Sequence, residues 1–172
     1  MQFTFEPLSI AQEYYYYAGN NSSGTAWFSF ENMPSGQGAY WNIGSSTLKG
    51  AAQLVANTKY ECDIIYNNGS LSATIGSYTY TTSYSGSLGT EYLRFFGSDT
   101  SFAYMKLYSL KLYSNQTTLA HDLIPAKVDS TGNIGFYDRV TRKFYYNAGS
   151  GAFVAGAETG GIIYDVAPYT LP

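Results

Sequence analysis

Hydrophobic and polar positions alternate with a period of two over most of the chain, and clusters of Gly, Asn and Ser interrupt the runs. No segment carries a sustained helical period. Successive side chains of a strand point to opposite faces, so this alternation predicts half-buried strands. In residues 27–31, Phe28 and Phe30 share one face, and Trp27, Ser29 and Glu31 share the other. In residues 60–66 one face carries Tyr60, Cys62, Ile64 and Tyr66, with Glu61 and Asp63 opposite, so Cys62 reads as a small core residue. Asn68-Gly69 separates that run from Leu71, Ala73 and Ile75. Asn-Gly between two such runs predicts a hairpin, because a type I′ turn needs positive φ at both central positions. The Ser/Thr/Tyr stretch 77–87 reads as a solvent-facing strand and loop. Further strands are expected within 92–96, 102–113, 123–126, 134–137, 143–147 and 151–154, with a turn at 115–118 and a polar loop at 129–133. The apolar parity changes between Leu107 and Leu110, which predicts a bulge or bend there.

Composition agrees with an all-β chain. Tyr numbers 19, Phe 10 and Gly 18, while charged residues make up only 12%; aromatic residues suit a pleated, half-buried surface and glycines suit the turns. A length of 172 residues, with no internal repeat and no linker, is expected to form one domain over 1–172. Residues 158–172 are set apart as an extra edge strand, centred on 162–166, and a loose end. A chain this long buries roughly 70% of its unfolded surface and needs no disulfide or metal. Cys62, the single cysteine, cannot form an internal bridge. The net charge of −3 and the lack of a Lys/Arg stripe argue against nucleic acid. No stretch approaches the roughly 18 apolar residues of a membrane-spanning helix. Met1-Gln2-Phe3-Thr4-Phe5-Glu6-Pro7 lacks the basic start and apolar run of a secretory signal. An extracellular role therefore implies export within a larger polypeptide, by lysis, or by another route, and lysis would suit a virion protein.

The C-terminal third carries a more specific pattern. Met105-Lys106-Leu107-Tyr108-Ser109-Leu110-Lys111-Leu112-Tyr113 is followed by Asp122-Leu123-Ile124-Pro125-Ala126 and Gly135-Phe136-Tyr137-Asp138. Then come Lys143-Phe144-Tyr145-Tyr146-Asn147-Ala148-Gly149-Ser150-Gly151 and Phe153. This resembles the laminin-G-like, concanavalin A-like domains of phage structural proteins and gut-bacterial surface proteins. The likeness is most specific over 92–156. Toward the N-terminus only Trp27-Phe28-Ser29-Phe30 and Tyr40-Trp41-Asn42-Ile43-Gly44 are similar to the family's early strands, and the first 20 residues depart from it. The resemblance implies a two-sheet antiparallel jelly-roll β-sandwich with one concave sheet able to hold a glycan. It does not imply one activity, because that fold hosts lectins, glycosidases and inert scaffolds.

Glycosidases of this fold use a Glu-x-Asp-x-x-Glu strand, with one carboxylate as nucleophile and another as acid. The nearest approach is Glu61-Cys62-Asp63-Ile64-Ile65-Tyr66, where Tyr66 stands in place of the acid/base, so Glu61 and Asp63 read as a solvated outer face. His121, the only histidine, adjoins Asp122, but neighbours on a strand face opposite ways and cannot act as base and orienter. Asp99, Asp129, Asp138 and Asp165 are scattered and form no calcium loop, so no metal or other cofactor is expected. Asp138 reads as a turn residue whose carboxylate accepts backbone N–H bonds after Tyr137. Sequons at Asn20, Asn21, Asn68 and Asn115 read as unmodified.

Aromatic residues remain as ligand candidates, because Tyr and Trp faces stack on sugar rings while Asn hydrogen-bonds their hydroxyls. Tyr40, Trp41 and Asn42, together with Tyr15 and Tyr17 from the run 14–17, are the candidate ligand-binding residues; a core or subunit interface is the competing role for the same side chains. Strand alternation leaves either Tyr14 and Tyr16 or Tyr15 and Tyr17 facing outward. The function expected is a non-enzymatic virion-associated or cell-surface module with lectin-like binding or adhesion. Its expected partners are other virion or surface subunits and possible polysaccharide, with homo-oligomers, trimeric by analogy, in view. The alternatives are a glycan-active hydrolase with an atypical site and a scaffold without ligand.

Overall fold

The computed structural model describes residues 1–10, 15–20, 28–33, 38–43, 46–49, 54–67, 69–83, 93–95, 104–147 and 153–156; at 15–20, 28–33, 38–43, 46–49 and 93–94 the description is of the backbone. The described residues are all β, without a helix. In chain order the strands are β1 (Gln2–Pro7), β2 (Tyr15–Asn20), β3 (Phe28–Met33), β4 (Gly38–Ile43), β5 (Ser46–Lys49), β6 (Tyr60–Asn67) and β7 (Ser70–Ile75). They continue with β8 (Tyr78–Ser83), β9 (Leu93–Phe95), β10 (Met105–Tyr113), β11 (Leu119–Lys127), β12 (Ile134–Asp138) and β13 (Lys143–Tyr146). An open eight-stranded antiparallel sheet has the order β13-β12-β11-β10-β1-β6-β7-β8, and five further strands pair as β5-β4-β3-β2-β9.

The chain divides into two compact units, Met1–Phe3 with Leu107–Pro172 and Thr4–Lys106, and the division falls inside β1 and β10 themselves. In the second unit the core follows the alternation of β6 and β7. Cys62 and Ile64 are buried on one strand, and Leu71, Ala73 and Ile75 on the other, joined by Leu54 and Phe5. Glu61 and Ile65, on the opposite parity, are exposed. Each fully buried side chain of Leu, Ile or Phe size contributes roughly 1.5–3 kcal/mol over its exposed state. The expected β6–β7 hairpin is formed, with Asn67 opposite Ser70 and Gly69 at φ 85°; Asn68 falls outside the described residues. A second tight hairpin follows at once: Gly76-Ser77 links Ile75 to its partner Tyr78, and Gly76 at φ 56° occupies the first loop position that a type II′ turn reserves for glycine. The polar strand expected within 77–87 is β8, largely exposed.

The N-terminal run becomes a strand in its own right, with Phe3, Phe5 and Pro7 buried at alternate positions. Antiparallel alignment of β1 and β10 shows in Tyr113 Oη donating to Gln2 Oε1 at 3.1 Å, Lys106 Nζ to Glu6 Oε1 at 2.6 Å, and Leu8 N to Tyr104 O at 2.9 Å. Along β10 the even-numbered face changes from exposed at Lys106 and Tyr108 to buried at Leu110, where pairing with β11 begins. The irregularity itself lies further on, between Leu112 and Tyr113, where β11 contributes an extra residue.

In the first unit β10 to β13 form a meander, with Leu110 and Phe144 buried. The expected turn at 115–118 is an Asx turn, in which Asn115 Oδ1 accepts from Thr117 N at 2.9 Å and Thr118 N at 2.7 Å. The loop at 129–133 is exposed and closed by Gly132 N donating to Val128 O at 2.7 Å. The strand expected at 151–154 is not formed where it is described, since residues 153–156 lie outside any strand; residues 151 and 152 fall outside the described residues. Phe153 instead meets Phe136 edge-on, with ring centroids 5.0 Å apart.

Gly135 is paired with Tyr146 at a place in this meander where a side chain has no room. A Cβ there would overlap the carbonyl oxygen of Tyr145 and the ring of Phe144. Gly135→Ala is therefore expected to force β12 and β13 apart and cost about 2 kcal/mol or more in a denaturation experiment. Unchanged stability would show that the hairpin yields at no cost.

Candidate functional site

Strand pairing decides which candidate residues can meet. On β11, His121 and Asp122 are successive and face opposite ways, as their spacing requires, and neither is the other's partner. Both instead engage the turn that joins β12 to β13. Asp138, the last residue of β12, is wholly buried at 0% exposure. Its Oδ1 accepts from the backbone N–H of Asp122 at 3.0 Å and of Val140 at 3.0 Å. Its Oδ2 accepts from Thr141 Oγ1 at 2.7 Å and from His121 Nδ1 at 2.7 Å. An ionised carboxylate offers acceptors alone, so His121 carries its proton on Nδ1 toward Asp138.

Burial pushes the Asp138 carboxyl upward. The bonds from Asp122 N–H, His121, Thr141 and Val140 N–H outweigh that push and bring it from 3.8 down to about 2. The same turn is held on its outer side by Arg139, whose Nε and Nη2 both reach Asp122 Oδ2, at 3.0 and 2.7 Å. Arg139 N also donates to Asp122 O at 2.9 Å, and Arg142 N to Asp138 O at 2.8 Å, with Arg142 in the left-handed region at φ 59°. Asp122 Oδ1 is buried without a hydrogen-bond partner, so one oxygen of that carboxylate carries the whole ion pair.

This cluster contains an imidazole oriented by a carboxylate, which is one half of a nucleophile-activating device. Its carboxylate, however, is committed to two backbone N–H groups and a threonine hydroxyl, which makes it a staple for the turn. The turn role expected of Asp138 is thus found, with His121 as a further donor. No short motif announces that His121 bond, because its partner lies seventeen positions away and is brought close by the β11–β12 register.

Glu61 and Asp63 sit on the face of β6 opposite Cys62 and Ile64, Glu61 exposed and Asp63 half-buried. Tyr66 has the parity of Ile64, so the third position of the carboxylate pattern lies on the other face. Asp63 is opposite Thr74, which is opposite Thr79, and those two hydroxyls lie 3.0 Å apart. Among the described residues no three His, Cys, Asp or Glu come together in a way that would hold a metal ion.

The aromatic candidates lie on the five-stranded sheet, where β3 separates β2 from β4. Tyr40 is opposite Glu31 on one side and Lys49 on the other, and Glu31 is opposite Tyr16. Asn42 is flanked in the same way by Ser29 and Thr47, and Ser29 is opposite Gly19, itself opposite Arg94. These register positions share one face. Trp41 belongs to the other, in a row with Phe30 and Leu48, and Phe30 leads on to Ala18 and Phe95. Tyr15 is opposite Asn32, on the Trp41 side, and Tyr17 lies in the register shift between Tyr16 and Ala18. Tyr40 and Asn42 are thus brought to one face, and Trp41 and Tyr15 to the other. Trp27 and Tyr14 fall outside the described residues.

Comparison with protein-family models, curated proteins and solved structures found no match to this chain.

Because Asp138 titrates lower in the folded chain than unfolded, its stabilisation is complete above about pH 4 and is lost as pH falls toward about 2. Asp138→Asn removes that dependence. The stability gap between wild type and Asp138→Asn is expected to shrink by about 2 kcal/mol across that window in urea titrations. A gap that stays constant would show that the ionised carboxylate does not hold the turn.

Proposed function

We propose that the chain is a non-enzymatic module of a virion or cell surface, a jelly-roll sandwich of the concanavalin A-like kind that attaches to carbohydrate. The observation that supports this reading is the row Tyr16–Glu31–Tyr40–Lys49 beside Ser29–Asn42–Thr47 on the five-stranded sheet. Tyrosine rings offer stacking area to the apolar face of a sugar, while carboxylate, amide, hydroxyl and ammonium groups serve its hydroxyls. The opposite row, Phe30–Trp41–Leu48, has the composition of a face turned to a core.

The non-enzymatic part rests on the carboxylates. Glycoside hydrolysis needs two carboxyl groups flanking one bond. Asp138 is committed to the 139–142 turn, and the partner expected after Glu61 and Asp63 is Tyr66, on the other face of β6. Other virion or surface subunits are the protein partners that accompany this reading.

The test is a glycan array with the wild type, Tyr40→Ala and Trp41→Ala, with melting temperatures recorded for all three. Tyr40→Ala is expected to weaken binding by about tenfold or more, near 1.4 kcal/mol, at an unchanged melting temperature. Trp41→Ala is expected to lose about 3 kcal/mol or more of stability, as truncation of a large core side chain does. Binding of no glycan by the wild type would remove the carbohydrate reading. Release of reducing ends that disappears in Glu61→Gln would remove the non-enzymatic one.

A further inference from the structure

Cations are scarce in this chain and unevenly placed. Of nine Lys and Arg residues, three fall within five positions, Arg139, Arg142 and Lys143, around the turn that joins β12 to β13. The turn separates charge by depth. Its two carboxylates are buried, Asp138 held by four donors and Asp122 by Arg139, while Arg139 and Arg142 are exposed. What the turn shows to solvent is therefore positive, although the chain as a whole carries −3. Its guanidinium groups also have donors to spare. Arg139 spends two of its five N–H groups on Asp122 Oδ2, and the other three have no partner among the described residues; its side chain is 53% exposed. The guanidinium of Arg142 makes no hydrogen bond or ion pair among the described residues, and only its backbone N–H is engaged, by Asp138 O at 2.8 Å. At φ 59° Arg142 adopts a conformation that glycine takes freely and a side chain takes at a cost. Glycine would make the same backbone bond without that cost, so the turn gains nothing for itself from the arginine.

We infer that the turn from Arg139 to Lys143 is an anion-binding site, and that its ligand is a sulfate or carboxylate group carried by a polysaccharide. A guanidinium fork meets two oxygens of such a group with parallel N–H bonds, and Lys143, opposite Asp138 in the register, adds a third positive charge. The bonds of Asp138 and Asp122 already fix the turn, so little ordering remains to be lost when the anion docks. A cluster of five residues matches one or two anionic groups. A nucleic acid presents a continuous row of phosphates, which calls for cations along a stripe and is opposed by the net charge of −3. The choice of a polysaccharide rests on the carbohydrate reading above, but the residues differ: Tyr40 and its row belong to the five-stranded sheet, and Arg139 and Arg142 to the first unit.

Titration of the whole chain with dextran sulfate, polygalacturonate and uncharged dextran tests this. The wild type is expected to bind one or both charged polymers and not dextran, with affinity falling roughly tenfold or more between about 50 and 200 mM salt. Which polymer binds tells sulfate from carboxylate. Arg142→Gly is expected to bind about fivefold or more weakly and to melt at the wild-type temperature or above it, because glycine accepts the left-handed φ at no cost. Arg142→Asn, whose side chain also tolerates that φ, is a second variant without the charge and is expected to lose binding likewise. No binding of either charged polymer at low salt, equal binding of dextran, or full binding by both Arg142 variants would each overturn the inference. So would preference for duplex DNA over dextran sulfate, or full displacement by inorganic sulfate at an equal concentration of sulfate groups. A wild type that binds neutral glycans on the array but neither charged polymer would remove this site and leave the aromatic row standing; the reverse result would do the opposite.

Discussion

A carboxylate withdrawn from water is tolerated only where its lone pairs are met, and Asp138 meets that demand with donors from two separate parts of the chain. The Asp122 N–H and His121 come from β11, and Val140 N–H and Thr141 from the turn that follows. Removing any one donor leaves a buried charge undersupplied, at a cost of about 1–3 kcal/mol. The strand register is tied to this point. A slip of one residue between β11 and β12 would carry Asp138 out of reach of the two donors on β11, the Asp122 N–H and His121, and leave it only the two from its own turn. Gly135, three residues earlier on β12, applies the complementary constraint, because β13 passes too close for any side chain there. One end of the hairpin is held by satisfied charge and the other by close backbone approach.

What could be read in advance was what local chemistry determines. Cys62 and Ile64 declare their face by alternation, and Asn68-Gly69 declares its hairpin by the φ values that the turn demands. Phe3 and Phe5 follow the same alternation over a run so short that flanking context decides between strand and tail, and burial settles it here as β1. The Gly76-Ser77 hairpin was hidden by composition. Tyr and Thr at alternate positions look polar in sequence, and in β8 only Tyr80 and Thr82 are even half-buried. The bond from His121 to Asp138 has no local signature, since seventeen residues separate the partners and pairing alone closes the gap.

The aromatic site shows the reach of a single rule. Alternation separates His121 from Asp122, and it separates Trp41 from Tyr40 and Asn42 just as surely. Adjacency in sequence suggested a three-residue platform at 40–42; adjacency in the sheet instead sets Tyr40 beside Glu31 and Lys49, and Trp41 beside Phe30 and Leu48. Which of these neighbours belong together could not be read without the register of β3 against β4, because a shift of one residue exchanges the two rows.

Hydroxyls dominate the outer face of β7 and β8, where Ser72, Thr74, Thr79 and Thr81 stand side by side and Thr74 and Thr79 are bonded to each other. Hydroxyl groups carry no net charge, so salt, with a Debye length of about 8 Å under physiological conditions, acts on this face through Glu61 and Asp63 of the neighbouring β6 and not through the hydroxyls themselves. The hydrogen bond between Thr74 and Thr79 therefore holds as well in brine as in dilute buffer, and the β7–β8 hairpin gains from it a link that salt does not loosen.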